Sequence, residues 1–219
     1  MWEIALKAPH GLDIISLDDV SRLSGWKSDE YANINQWISS KFDNDFPNWI
    51  AYNDDVIRQN VSSTFGHCKG MVIWNDREIR WLVHSCPNFP ESIRPLSNLP
   101  ESACMYGQSF VFLSLPIGQI ESVLKHLKIM EAHIYLISPD ASSIFNNLER
   151  PTETFDVIKF TDNIWHIGKS RKWGEDLYDD GLFGLFGGGQ YVETWMRPRV
   201  PDTVIVDNLE EIAIRIPVG

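Results

Sequence analysis

Cysteine is scarce in this chain: Cys68, Cys86 and Cys104 are the only three in 219 residues. They form no C-x-x-C pair, so neither a zinc knuckle nor a dense disulfide framework fits. Free thiols in a reducing compartment are the simplest reading. Positive charge is also in short supply. Nineteen Lys and Arg stand against thirty Asp and Glu, a net charge of −11 with histidine neutral. That sign excludes a general basic coat for nucleic acid but leaves room for a local basic groove. Long apolar runs are missing too. None approaches the ~20 residues of a membrane helix. The opening MWEIALKAPHG lacks a basic stretch followed by an apolar one, so no secretory leader is expected. A cytoplasmic protein follows from this, or a lysosomal or secreted one if the chain is a mature form with an added Met. No phosphate loop, no G-x-S-x-G elbow and no H-E-x-x-H helix occurs, and neither a metal nor another cofactor is expected. One sequon, Asn60-Val61-Ser62, matters only in the secreted case.

What is present suffices for a packed core. Apolar residues make up 43% of the chain, and nine Trp with eleven Phe supply large buried surfaces. Strands are expected at 2–6, 67–74, 79–84, 109–115, 133–137, 154–160, 191–196, 203–206 and 212–216, from runs rich in Val, Ile, Phe or Trp. Helical spacing appears in 28–42, through Tyr31, Ile34 and Ile38, and again after Pro116, through Ile117, Ile120, Leu124 and Leu127. A third helix is expected behind Asp140 and a fourth over 175–186. Helices returning between strands indicate an α/β class, a mixed β-sheet sandwiched by helices. The polar Arg150-Pro151-Thr152 segment marks a lobe boundary, giving 1–150 and 151–219.

The chemically informative stretch is Gly66–Pro90. His67 and Lys69 are two apart, and on a strand that spacing puts both side chains on one face. An imidazole beside an ammonium suits phosphodiester chemistry. The histidine attacks phosphorus or moves a proton, and the lysine stabilises charge on the non-bridging oxygens. Gly66 and Gly70 flank the pair and would permit close approach by a bulky substrate. Both side chains are expected on one central strand, facing a common cleft; a loop placement would count against the pair. Another H-x-K triplet, His126-Leu127-Lys128, falls on the second helix. Residues two apart there point about 200° apart around the axis, so the triplet reads as exposed helix surface. His166 and Lys169, three apart, also cannot share a strand face.

Several blocks extend the pattern. WLVHSCPNFP (81–90) follows, then YGQS (106–109), then KSRKWGEDLY (169–178). In this order they resemble the deoxyribonuclease II family of the phospholipase D superfamily, whose pattern runs G-H-x-K-G, W-L-V-H-S-x-P-N-F-P, Y-G-Q-S/T, K-x-x-K-F/W-G-x-D-L-Y. The opening WEIALKAPHG is similar as well. The resemblance implies a phospholipase D-like fold and metal-independent hydrolysis of DNA at acidic pH, with two H-x-K motifs meeting at one site. One histidine would form a phosphohistidine and the other would protonate the leaving 5′ oxygen. His67 and Lys69 map onto the first motif. The second motif lies beyond a segment like 204–219, so nothing here matches it, and the second lobe is expected to be incomplete. Asn75 stands where the family often has an orienting Asp.

Around the pair, His84 is either a buried histidine or a substrate ligand. Ser85 and Asn88 either bind phosphate or shape a turn. Tyr106 and Gln108 would brace the site strand. Lys169, Arg171 and Lys172 form the densest basic run, suited to phosphate-backbone contacts without sequence readout. The expected protein is therefore a phosphodiesterase or endonuclease on DNA or another phosphodiester, with catalytic His67 and Lys69. His84, Ser85, Asn88, Lys169 and Lys172 would bind substrate, a homodimer would complete the site, and no membrane is involved. The alternative is a degenerate relative that binds nucleic acid or a protein without turnover.

Overall fold

The computed structural model describes residues 1–18, 27–28, 33–42, 45–56, 61–161, 164–186, 190–192 and 209–211. Two compact units are formed, residues 1–172 and 173–219.

In the first unit an eight-stranded sheet dominates. Its strands are β1 (Trp2–Lys7), β2 (Ile14–Asp18), β3 (Lys27–Ser28), β4 (Asn48–Asn53), β5 (Lys69–Trp74), β6 (Glu78–His84), β7 (Gln108–Pro116) and β8 (Ile134–Ile137), ordered β3-β2-β1-β7-β6-β5-β4-β8. Every neighbouring pair is antiparallel. This corrects the expected mixed sheet: hairpins and meanders connect most strands. The exceptions are the connection from β3 to β4, which passes over five intervening strands, and the crossover from β7 through α2 (Ile120–Ile129) to β8, which passes over three.

Helices lie on both faces, as the sandwich expectation had it. α1 (Ile34–Ser39) buries Ile34, Trp37 and Ile38 against Ala51, Met71, Ile73, Leu82, Phe110 and Phe112. On the opposite face, α2 and α3 (Pro139–Asn147) pack Val123, Leu124, Leu127 and Ala141 against Ile50, Val72, Trp74, Trp81 and Leu113. β5 shows why both faces are dry. Met71 and Ile73 point to one core and Val72 and Trp74 to the other, so all six residues of the strand are buried. A ribbon of β9 (Phe155–Thr161) and β10 (Ile164–Lys169) packs on α2.

The second unit holds a wide helical turn at Leu177–Leu182, α4 (Phe183–Phe186), and the parallel pair β11 (Gln190–Val192) and β12 (Leu209–Glu211). The strands expected at 203–206 and 212–216, most of 191–196, the sequon Asn60 and residues 29–32 of the helix expected over 28–42 lie outside the described residues; of that helix Ile34–Ser39 forms, and Ser28 instead ends β3. Helices three and four form where expected, although Ser138 rather than Asp140 caps α3, with Pro139 at its first turn. β2, β3, β4, β10 and β12 were not anticipated. Among the described residues no helix is long and apolar enough to cross a membrane.

Candidate active site

The site grows from three strand ends at one edge of the first unit's core. β4 ends at Asn53, β5 begins at Lys69, and β6 ends at His84. Asn53 pairs with Lys69 in register. Gly70 pairs with Val83, so one step further Lys69 lies across from His84. Three loops leave from this point, and Asn53 ties them together. Its buried side-chain amide donates to the carbonyls of Cys86 (3.2 Å) and Phe89 (3.0 Å). Its Oδ1 accepts the Asp55 N–H at 2.9 Å. The Asn88 N–H adds a 2.8 Å bond to the Asp55 carbonyl.

Held by this frame, Asp54 receives both members of the H-x-K pair. The Lys69 ammonium donates to Oδ1 at 2.5 Å, and the His67 Nδ1 meets Oδ2. The two side chains therefore converge on one carboxylate. His67 itself is not on the strand. It sits on the bend two residues before β5, which begins at Lys69 rather than at 67. The shared-strand expectation fails for His67, and convergence comes from Asp54 instead. Burial pushes the Asp54 carboxyl up, but the Lys69 ammonium and the His67 ring together outweigh it and hold the pKa below the ordinary carboxylate range.

The two partners differ sharply in access. The His67 side chain is 86% exposed and that of Lys69 only 7%. In the tautomer that donates from Nδ1 to this carboxylate, the lone pair of the His67 ring is on Nε2.

His84 takes the buried alternative. Its ring packs between Phe89 and Phe110, 5.3 and 5.9 Å between centroids. Its Nδ1 accepts the Cys86 N–H at 3.2 Å, while Nε2 is buried without a partner. Burial, then the Lys69 charge, pull its pKa down to about 3, so it is neutral at any working pH.

Ser85 is exposed and shapes the backbone. Its hydroxyl donates to Gln108 Oε1 at 2.5 Å and accepts the Ser109 N–H at 3.0 Å. Gln108 thus braces the site as expected, whereas Tyr106 is 70% exposed. Asn88 has φ 58°, a left-handed turn position that Asn tolerates. Lys169 is the exposed last residue of β10. Lys172 lies in the following turn and lines a groove with Arg171, Thr64 and Phe65.

Two further expectations are corrected, for the flanking glycines and for His126, and Asn75 takes a structural part. It closes the β5–β6 hairpin by accepting the N–H groups of Arg77 and Glu78. That is beyond the far end of β5, roughly 20 Å from Lys69 at ~3.3 Å per residue. The flanking glycines make room for the protein rather than for substrate. A Cβ on Gly70 would lie 2.2 Å from the Tyr52 hydroxyl, and one on Gly66 would lie 1.9 Å from the Met130 carbonyl oxygen. Finally, His126 is fully buried rather than exposed. α2 is covered on two sides, by the sheet and by the β9–β10 ribbon, so its inward stripe is wider than one sheet contact demands. His126 Nδ1 meets His166 Nδ1 at 2.7 Å, and Asp156 Oδ2 lies 3.5 Å from its Nε2.

The residue that sequence reading missed is Asp54. Its signal was faint: a short polar N-D-D run closing an apolar strand, WIAY, that had itself gone unnoticed. Cys68, Cys86 and Cys104 are free thiols. Among the described residues no group of three His, Cys, Asp or Glu side chains is placed to hold a metal ion.

At the rim of an antiparallel α/β core, one carboxylate thus holds an exposed imidazole and a buried ammonium. The chain belongs to the deoxyribonuclease II family, whose model matches residues 4–208. Among curated proteins it is similar to rat deoxyribonuclease-2-beta, 26% identical over 164 residues, which is 68% of this chain and 46% of that protein. Plancitoxin-1 of Acanthaster planci is 28% identical over 166 residues, 67% of this chain and 45% of that protein. Cell-death-related nuclease 7 of Caenorhabditis elegans is 35% identical over 107 residues, 49% of this chain and 28% of that protein. The chain thus spans about half or less of the length of these relatives.

Proposed function

We propose that this chain hydrolyses phosphodiester bonds in DNA as an endonuclease, through His67 and without a metal. The observation that carries the reading is the Asp54 clamp. It accepts from Nδ1 of a highly exposed imidazole and leaves Nε2 free to meet phosphorus.

Attack by Nε2 forms a P–N bond and expels the 5′ oxygen, which takes a proton from a general acid. Water then cleaves the P–N bond, returning the imidazole and leaving a 3′ phosphate. Asp54 stabilises the charge on the ring while it carries phosphorus. Lys69 keeps Asp54 ionised and in place, and its remaining N–H donors bear on a non-bridging oxygen. Because the Asp54 pKa lies below the usual carboxylate range, the clamp survives at the acidic pH that the family resemblance implies. Ser85 and Asn88 shape the phosphate-facing rim. His84 backs Lys69 as a buried neutral ring, and Lys169 and Lys172 contact the backbone of the strand.

In this reading the fold is phospholipase D-like, with residues 1–150 as the first lobe and 151–219 as part of a second. A second copy of the chain supplies the second His67 as the general acid.

Digestion of supercoiled plasmid in EDTA at pH 5 and pH 7, by the wild type and by His67→Ala, tests the proposal. Nicking by the wild type that disappears in the variant is expected. Absence of nicking by both shifts the weight to binding without turnover.

A further inference from the structure

The chain carries thirty acidic residues against nineteen basic ones, yet one groove of about 530 Å³ gathers four cations. They are Lys128, Arg150, Arg171 and Lys172, with Glu131 as the single carboxylate in the lining. Three separate segments deliver them: the last turn of α2, the stretch after α3, and the turn after β10. A cation at a helix C-terminus is ordinary and accounts for Lys128 alone.

The cations crowd one another. Lys128 donates to the Leu148 carbonyl and stands 5.0 Å over the Phe145 ring. Burial, then the nearby Arg150 charge, push its pKa down. Glu131 lies 3.7 Å from Arg171 Nε, which offsets one of the four charges. Like charges collected in this way repel, and an anion among them relieves the repulsion. The rest of the lining is Thr64 and apolar residues, among them Phe145 and Phe65, whose ring centroid lies 4.7 Å from that of His133 and which is still 41% exposed. Cations beside exposed aromatic surface match a nucleotide, whose phosphate is anionic and whose base is a flat ring.

The groove neighbours the active site along the chain. Phe65 is two residues from His67, at most ~7 Å along the chain. The Gly66 N–H donates to the Glu131 carbonyl at 3.0 Å. The Asn53 N–H donates to the His133 carbonyl at 3.1 Å. The turn that closes α2 therefore fixes both the segment bearing His67 and the strand leading to Asp54.

We propose that this groove is a nucleotide subsite that holds a backbone phosphate near the scissile one and stacks an unpaired base on Phe65. The proposal rests on the DNA-directed reading above and adds a preference for single-stranded or frayed substrate. The four cations hold the phosphate and Phe65 selects the unpaired base. A duplex end offers the phosphate but not the open ring.

The test is fluorescence anisotropy with the full chain in EDTA at pH 5, using a labelled 12-nucleotide single strand and the matching duplex. His67→Ala serves as the non-cleaving background. In that background Arg150→Gln with Lys172→Gln is expected to raise the Kd for the single strand at least tenfold. It should also shallow the dependence of log K on log salt by about 0.7 for each lost phosphate contact. Phe65→Ala is expected to weaken the single strand at least fivefold and the duplex less than twofold. Competition with inorganic phosphate and with a 3′-mononucleotide separates the sources. A mononucleotide that binds as tightly as the oligonucleotide, and is lost in the groove variant, overturns the strand subsite in favour of a free-nucleotide site.

Unchanged affinity and salt slope in a double variant that melts like its parent overturn the groove altogether. Plasmid nicking by the His67 enzyme that survives such a result leaves the nuclease reading standing. Weakened binding in a protein that never nicks DNA leaves the groove and removes the nuclease.

Discussion

His67 and His126 each stand two residues before a lysine, and the fold gives them opposite fates. His67 lies on a bend at the sheet rim, its side chain 86% exposed, with a carboxylate on one ring nitrogen. His126 lies inside α2 with no exposed surface, its Nδ1 against another imidazole and its pKa pulled down to about 4 by burial. The first arrangement leaves a lone pair for an incoming substrate. The second spends the ring on packing: Gly168 backs it, and the His166 ring, itself 4.5 Å from Trp81, lies 4.9 Å away. A short motif therefore names residue types. Whether they can act depends on which element carries them and on what covers that element.

The largest difference between the two regions should appear in turnover. His67→Ala is expected to lower DNA nicking by 10³-fold or more, as the loss of a nucleophile does, with thermal stability nearly unchanged because the side chain is in solvent. His126→Gln should do the reverse, melting earlier while each folded molecule keeps its kcat. Equal kcat losses in both variants would break the comparison. Asp54→Asn comes next. It keeps an acceptor for His67 but removes the charge that Lys69 and the ring both use. A fall of about 10–100-fold in kcat is expected, on the scale of orienting partners elsewhere. KM should change little, which single-turnover and steady-state kinetics separate.

Much of the first region was legible in the sequence, and the reason is alternation. β1, β6, β7, β8 and β9 fall within a residue or so of the runs rich in Val, Ile, Phe and Trp. The H-x-K pair was found because its spacing is local. Asp54 was not, because it lies thirteen residues before His67 and only strand pairing brings them together. β4 itself was missed because WIAYN is short and lies between polar stretches. The antiparallel order was beyond reach for a similar reason: neighbours such as β1 and β7 are a hundred residues apart in the chain. His126 was misread because helix periodicity reports one buried face, and α2 has a second one under a ribbon that the sequence did not announce.

A pH titration of stability sharpens the contrast. The pKa values of His126 and His166 are lowered to about 4 and about 3, by burial first. At 2.7 Å the facing nitrogens share a single proton, so a second one must break the contact. A folded pKa below the ordinary 6.5 means that the unfolded chain binds protons first as pH falls. Stability from this pair is complete above about 6.5 and is lost between about 6.5 and 4. Asp54 acts in a different window. Its folded pKa is depressed, so its contribution is present above the usual carboxylate value and is lost only as pH falls below it. Thermal melts from pH 7 to pH 4.5 should drop by roughly 5–10 °C through the histidine pair. His166→Leu should flatten that slope, and Asp54→Asn should leave it unchanged above pH 4.5. An unaltered slope in His166→Leu would place the pH sensitivity elsewhere.

The smallest expected effects concern the glycines behind each histidine. Gly70 lies under the first site, where an added Cβ would sit 2.2 Å from the Tyr52 hydroxyl and 2.6 Å from the Leu82 carbonyl oxygen. That hydroxyl also accepts the Trp81 indole N–H at 3.0 Å, and both rings are buried, so neither can swing away cheaply. Gly70→Ala should cost about 1–3 kcal/mol or more, the range for overpacking a tight core. Gly168 lies under the second site, and its added Cβ would meet His126 Nδ1 at 3.0 Å. There the imidazole can give by a few tenths of an ångström, so Gly168→Ala should cost about 1 kcal/mol at pH 7. Because the methyl group presses on the nitrogen that contacts His166, the same variant should also lose part of the pH slope described above. Gly70→Ala should keep that slope whole. Denaturant midpoints at pH 7 and pH 5 for the two variants make the comparison directly. If both lose the slope equally, the two histidine regions are one cooperative unit.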